Sequence, residues 1–149
     1  MIKHHFFGNN CKIDHELSNY TDLEFCLKQK SWDFKNINFV NQIHSNEVYV
    51  IDSLQKIQGR QGLKKADAIV TNQRNLAIAI VTADCAPIII KDEKNGVVAV
   101  IHAGWRGAKS GVIQSAIDTM IDLGSSIDSM QGFIGPMIHQ KSYQVSKEF

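Results

Sequence analysis

Between positions 76 and 107 the chain reads LAIAIVTADCAPIIIKDEKNGVVAVIHAGWRG, two apolar runs that each end on polar, reactive side chains. The first run, 76–82, is almost wholly apolar, the pattern of a strand covered on both faces. Pro87 has no N–H to give a central ladder, which predicts a bulge or break over 84–87 before the strand resumes at 88–90. Turn chemistry at 92–96 and an apolar return at 97–101 then predict a hairpin.

Upstream the pattern is weaker. Leu17, Leu23, Phe25 and Leu27 place a candidate helix over 14–29, although their spacing fits a 3.6-residue period poorly. Trp32, Phe34, Ile37, Phe39 and Ile43 suggest an extended, half-buried approach to the polar turn at Gln42, His44 and Ser45, and Val48, Tyr49 and Val50 read as a short strand. A polar loop at 59–65 leads to another strand candidate at 66–71, with a turn at 72–75. Downstream, Val112, Ile113, Ala116, Ile117, Met120 and Ile121 recur at helical spacing over 108–123, and Gly124 is placed to end that helix. A last short strand is predicted at 132–134 before Gly135 and Pro136. Strands, one clear helix and no strict strand-helix alternation predict an α+β fold.

Composition narrows the classes. With 149 residues, 44% hydrophobic and 21% charged, the chain has the balance of one soluble globular domain over 1–149. Sixteen Lys and Arg against fifteen Asp and Glu leave a net charge of +1, so no basic footprint argues for nucleic acid or an anionic membrane. The apolar runs fall far short of the roughly 20 residues needed to cross a bilayer, and the first residues show no signal-peptide core. Cys11, Cys26 and Cys85 form no C-x-x-C and cannot all pair, which fits a reduced, cytoplasmic protein.

The candidate chemistry lies where the runs end. Cys85 and His102 sit at the ends of two strands expected to pair, and His44 lies in a polar turn between strand candidates. Two imidazoles and a thiolate form the protein part of a catalytic zinc site, with bonds of about 2.0–2.1 Å to nitrogen and about 2.3 Å to sulfur and a fourth position open. The same residues also allow a metal-free arrangement, with Cys85 as nucleophile and His102 or His44 as its base. Gly104, Trp105, Arg106 and Gly107 head the predicted helix, where backbone N–H groups and an Arg fork would suit phosphate. A tight strand-to-helix turn with Trp105 in the core and Arg106 solvated is the plainer account of the same four residues.

Several motifs in order carry a resemblance. They are Gln42-Ile43-His44, Ala66-Asp67-Ala68-Ile69-Val70-Thr71, Thr82-Ala83-Asp84-Cys85-Ala86-Pro87, His102-Ala103-Gly104-Trp105-Arg106-Gly107, and Ile134-Gly135-Pro136 with Tyr143-Gln144-Val145. Together they resemble the laccase-domain or polyphenol oxidase family, whose members are described as zinc-dependent purine nucleoside phosphorylases with adenosine deaminase activity. The resemblance implies an α+β layered sandwich with a mixed sheet, similar to the fold of bacterial cysteine-hydrolase toxins. It places the metal ligands on His44, Cys85 and His102, with zinc as the metal and copper as the alternative. It implies phosphorolysis of adenosine, inosine and methylthioadenosine, with deamination of adenosine as a second reaction. In that reading Asp84, Cys85 and Arg106 are catalytic, Asp84 by proton transfer or ligand orientation, and Gly104, Trp105, Arg106, Gly107 and Gln42 contact phosphate or substrate. The implied partners are a purine nucleoside and phosphate, with a homo-oligomer left open. A copper-dependent phenol oxidase, a metal-free Cys-His hydrolase and a shortened zinc-binding remnant of little activity are the alternatives.

The chain departs from the family at both ends. It stops at Phe149, soon after Tyr143-Gln144-Val145, so the family's C-terminal third, with its Cys-Thr and Arg-Arg segment, is expected to be missing. Residues 1–38 form a divergent N-terminal part, in which Gly8-Asn9-Asn10-Cys11-Lys12 stands where members carry Arg-x-Gly-Gly-x-Ser, and no later Ser-Leu-Asn follows.

Overall fold

A computed structural model describes residues 1–8, 26–32, 34, 36–52 and 63–144. The predicted 14–29 helix lies outside the described residues except for 26–29, which are helical, and so do Cys11, the first four residues of the 59–65 loop, and Val145. The rest is α+β, with two sheets. Strands β1 (Asn36–Asn38) and β4 (Leu76–Ile78) pair in parallel. Strands β2 (Val48–Ile51), β3 (Ala68–Thr71), β5 (Ala86–Asp92), β6 (Val97–Ala103) and β7 (Gln131–Ile134) form a mixed sheet of order β2-β3-β6-β5-β7. Only the β2-β3 pair in that sheet is parallel.

The period of two along β6 sorts its residues onto two faces. Val97, Ala99, Ile101 and Ala103 join Ala68, Val70, Ile88 and Ile90 on one face, which helix α2 (Val112–Asp122) covers with Val112, Ala116 and Met120. All three helical residues are fully buried, and burial of side chains such as Val112 and Met120 contributes about 1.5–3 kcal/mol each. On the opposite face Ile69, Ile89 and Val100 pack with Val40, Ile51 and the half-buried Leu76, Ile78 and Ile80.

The apolar run at 76–82 packs on the mixed sheet and on the Phe39 cluster, but its residues stay half-buried rather than fully covered, and it forms a regular strand for only three residues. Leu76, Ile78 and Ile80 turn toward the mixed sheet, while Ala77, Ala79 and Val81 turn toward Phe39, Trp32 and Phe34. The expected break falls before Pro87: β5 begins at Ala86, and Pro87 pairs with His102 at the start of the ladder, where a missing N–H costs least.

The predicted helix over 108–123 is two helices, α1 (Trp105–Lys109) and α2. Gly111, at φ 88°, makes the corner between them in a conformation that a side chain would disfavour. Gly124, at φ 97°, ends α2 as expected: its N–H reaches Ile121 O at 2.8 Å and that of Ser125 reaches Met120 O at 3.0 Å, the paired bonds of a Schellman close. No helix among the described residues is long and apolar enough to cross a membrane.

Candidate metal centre

His102 is the penultimate residue of β6, on the face away from α2, and the register puts Asp67 opposite it, one step beyond the Ala68–Ile101 pair. The backbones of the two residues are joined by His102 N–H donating to Asp67 O at 2.7 Å, and the His102 ring Nδ1 lies 2.8 Å from Asp67 Oδ1, within hydrogen-bond distance. Asp67 is fully buried and His102 nearly so. The same carboxylate accepts the backbone N–H groups of Ile43 at 3.3 Å, His44 at 2.9 Å and Ser45 at 2.6 Å, and the Ser45 hydroxyl at 2.8 Å. Burial alone would raise the Asp67 carboxyl, but the bonds from His102, Ser45 and His44 outweigh it and hold the group below its ordinary value.

This anchor delivers His44 to the site from a loop. His44 sits at φ 59°, a left-handed conformation that a non-glycine residue occupies at a cost of about 1–2 kcal/mol. Its ring lies 4.7 Å from that of His102, nearly perpendicular to it, and its Nε2 stands 3.8 Å from Cys85 Sγ. One ligand atom each from His44, Cys85 and His102 lies within 4.8 Å of the others. Bonds of about 2.3 and 2.05 Å at a tetrahedral angle would set sulfur and nitrogen roughly 3.6 Å apart, close to the 3.8 Å between Cys85 Sγ and His44 Nε2, so that pair fits a single ion.

Two glycines make this convergence sterically feasible. A Cβ on Gly104 would lie 2.7 Å from His44 Cδ2 and 3.1 Å from Cys85 Sγ, and one on Gly107 would lie 2.7 Å from Ser45 O. Close approach of α1 to the His44 loop is thus the structural reason for both. Gln42 acts beside them as a staple: its side chain donates to Val81 O at 2.8 Å and accepts Val81 N–H at 2.9 Å, tying the His44 loop to the segment that carries Cys85.

Asp84 and Cys85 open onto a pocket of about 230 Å3, whose walls include Trp105, Met137, Ile138 and Tyr143. Ile138 N–H donates to Asp84 O at 2.9 Å and holds that wall in place. Arg106 is exposed and rests its guanidinium over the Trp105 ring, 4.9 Å from the centroid. Burial pushes the Cys85 thiol up, and the Asp84 and Asp67 carboxylates push it further. A free cysteine nucleophile is activated by the opposite shift, whereas a metal removes the thiol proton outright.

The structure therefore gathers His44, Cys85 and His102, sets Asp84 and Trp105 at the adjoining pocket, and places Arg106 on Trp105. Gly104, Gly107 and Gln42 shape the scaffold of the site. Sequence reasoning missed the carboxylate of Asp67, although a lone acid in the otherwise apolar 66–70 segment was a visible signal. It also missed Met137 and Ile138, for which nothing in the local pattern marked a site.

The multi-copper polyphenol oxidoreductase laccase family model matches residues 16–149. The chain belongs to this family. A purine nucleoside phosphorylase of Corynebacterium glutamicum is 37% identical over 107 residues, covering 72% of this chain and 43% of that protein. An adenosine deaminase from an unknown prokaryotic organism is 35% identical over 120 residues, 78% of this chain and 46% of that protein. Among solved structures, the Bacillus licheniformis hypothetical protein YfiH superposes with a TM-score of 0.72 at 26% identity, covering 95% of this laccase-family chain and 54% of that one. A Neisseria meningitidis DUF152 protein gives 0.67 at 28% identity, covering 95% and 53%. The chain thus spans about half the length of the relatives it matches.

Proposed function

We propose that this laccase-family chain is a purine nucleoside phosphorylase, splitting adenosine, inosine or methylthioadenosine with phosphate into the free base and a ribose 1-phosphate, and that it also deaminates adenosine. The observation that carries the reading is the convergence of His44, Cys85 and His102 beside an open pocket. The names of the phosphorylase and deaminase relatives supply the reaction class. His44, Cys85 and His102 would hold zinc, which when bound would supply Lewis-acid activation, and zinc is preferred to copper because neither reaction exchanges electrons.

The chain's own groups take the remaining roles. Trp105, Met137, Ile138 and Tyr143 offer an apolar seat for the flat base. Asp84, exposed at the pocket next to Cys85, moves a proton at its carboxylate. Arg106 meets the phosphate as a planar fork.

A second reading, a zinc-binding remnant with little turnover, draws on the apolar groove of about 1210 Å3 along Leu76, Ile78, Ile80 and the Met1 to Gly8 segment. Metal analysis combined with chromatography of adenosine incubated with and without phosphate separates the two. Adenine formed only with phosphate, or inosine formed without it, supports the enzyme; bound zinc with neither product overturns it.

A further inference from the structure

We propose that Asp67 is the positioning residue for both imidazoles of the metal centre, one carboxylate setting the tautomer of His102 and the backbone of His44 together. The inference rests on the metal reading above and concerns a residue that touches no substrate. Its starting point is the capacity of a carboxylate, which offers about four lone-pair sites and, when ionised, only accepts. Oδ1 receives His44 N–H and His102 Nδ1, and Oδ2 receives Ser45 N–H, the Ser45 hydroxyl and, at longer range, Ile43 N–H. Three of these partners are backbone N–H groups that can only donate, so an ionised Asp67, which only accepts, satisfies the whole set when the Ser45 hydroxyl and His102 Nδ1 donate as well.

An acceptor at Asp67 requires the donor to be His102 Nδ1–H. In the neutral imidazole the lone pair then sits on Nε2, the nitrogen left for a ligand bond. The backbone bond from His102 N to Asp67 O fixes the approach, so the ring has little freedom to turn away. For His44 the control runs through the main chain: three successive N–H groups of a loop converge on one buried anion and hold the residue at φ 59°. Without that anion the loop would lose its reason to adopt a strained conformation.

Asp92 provides the internal comparison. It too is a fully buried carboxylate, and it accepts from Asn95 N and Nδ2, Ser126 N and Ser129 Oγ. Those partners belong to a hairpin turn and a neighbouring loop, so Asp92 ties the two segments together. Asp67 makes the same kind of anchor, but two of its partners are the ligand residues themselves.

The test compares wild type with Asp67→Asn, a change of one atom that replaces an acceptor with a donor. Zinc affinity is measured by competition with a chromophoric chelator, the cobalt-substituted spectrum is recorded, and the thermal midpoint of the metal-free protein is followed separately. The expected result is a loss of about 10–100-fold in zinc affinity with an altered cobalt spectrum, beyond what the metal-free midpoint explains. A purely structural anchor would lower that midpoint and leave the affinity and spectrum of the folded protein unchanged, which would overturn the inference. Should Asp67→Asn fail to fold, the wild-type protein still decides: nitrogen-resolved NMR of metal-free His102 must show the proton on Nδ1, and a proton on Nε2 alone overturns the proposal. Wild type that binds neither zinc nor cobalt removes the metal reading and this inference together, whereas normal wild-type binding matched by Asp67→Asn removes only the inference.

Discussion

Gly104 faces His44 so closely that a Cβ on the glycine would stand 2.7 Å from the imidazole Cδ2. The first residues after β6 and the loop that precedes β2 thus meet with no room for a methyl group. The backbone of Gly104, at φ −69° and ψ 161°, is one any residue adopts, so space alone demands the glycine.

Gly104→Ala should therefore leave the sheet intact and displace His44 or Cys85. The expected outcome is zinc binding weakened by about tenfold or more, with the thermal midpoint of the metal-free protein close to wild type. Equal zinc content after dialysis against a chelator would count against the site as described.

Arg106→Ala removes an exposed guanidinium resting on Trp105 and touches none of the three donors. We expect the KM for phosphate to rise by about tenfold or more while adenosine deamination changes little, as fits loss of one charge-assisted contact. Initial rates of both reactions across a phosphate series check this, and parallel losses would argue for a structural role instead.

Asp92 links stability to acid. Burial pushes its carboxyl up, but the bonds from Asn95, Ser129 and Ser126 prevail and hold it well below the usual carboxylate range. A group depressed in the folded state contributes stability that is present above its unfolded value, about 3.9, and is lost as pH falls below it. Urea midpoints between pH 6 and 3 should fall for wild type, and Asp92→Asn should start lower but lose less over that range.

Met120→Ala empties a fully buried position between α2 and the sheet. A cost of about 2–5 kcal/mol is expected from denaturant unfolding, with zinc affinity of the folded protein unchanged because His102 lies on the other face of β6 and His44 and Cys85 stand outside the strands.

Elements whose signals are local can be read from the residues. Turn chemistry between two apolar runs set the β5-β6 hairpin, helical spacing set α2, and Gly124 set its end, because each depends on neighbours a few residues apart. The motifs around the three donors named them as well. The single helix read over 108–123 failed at Gly111 for the converse reason: apolar spacing continues through a corner that only the backbone conformation reveals. How the donors are held depends on contacts between distant parts of the chain. Residues 44, 67, 85 and 102 meet through strand register and loop closure, and no local period records which carboxylate will face which imidazole. Asp67 stands in the chain as a lone acid in an apolar segment, and only the pairing of β3 with β6 sets it opposite His102.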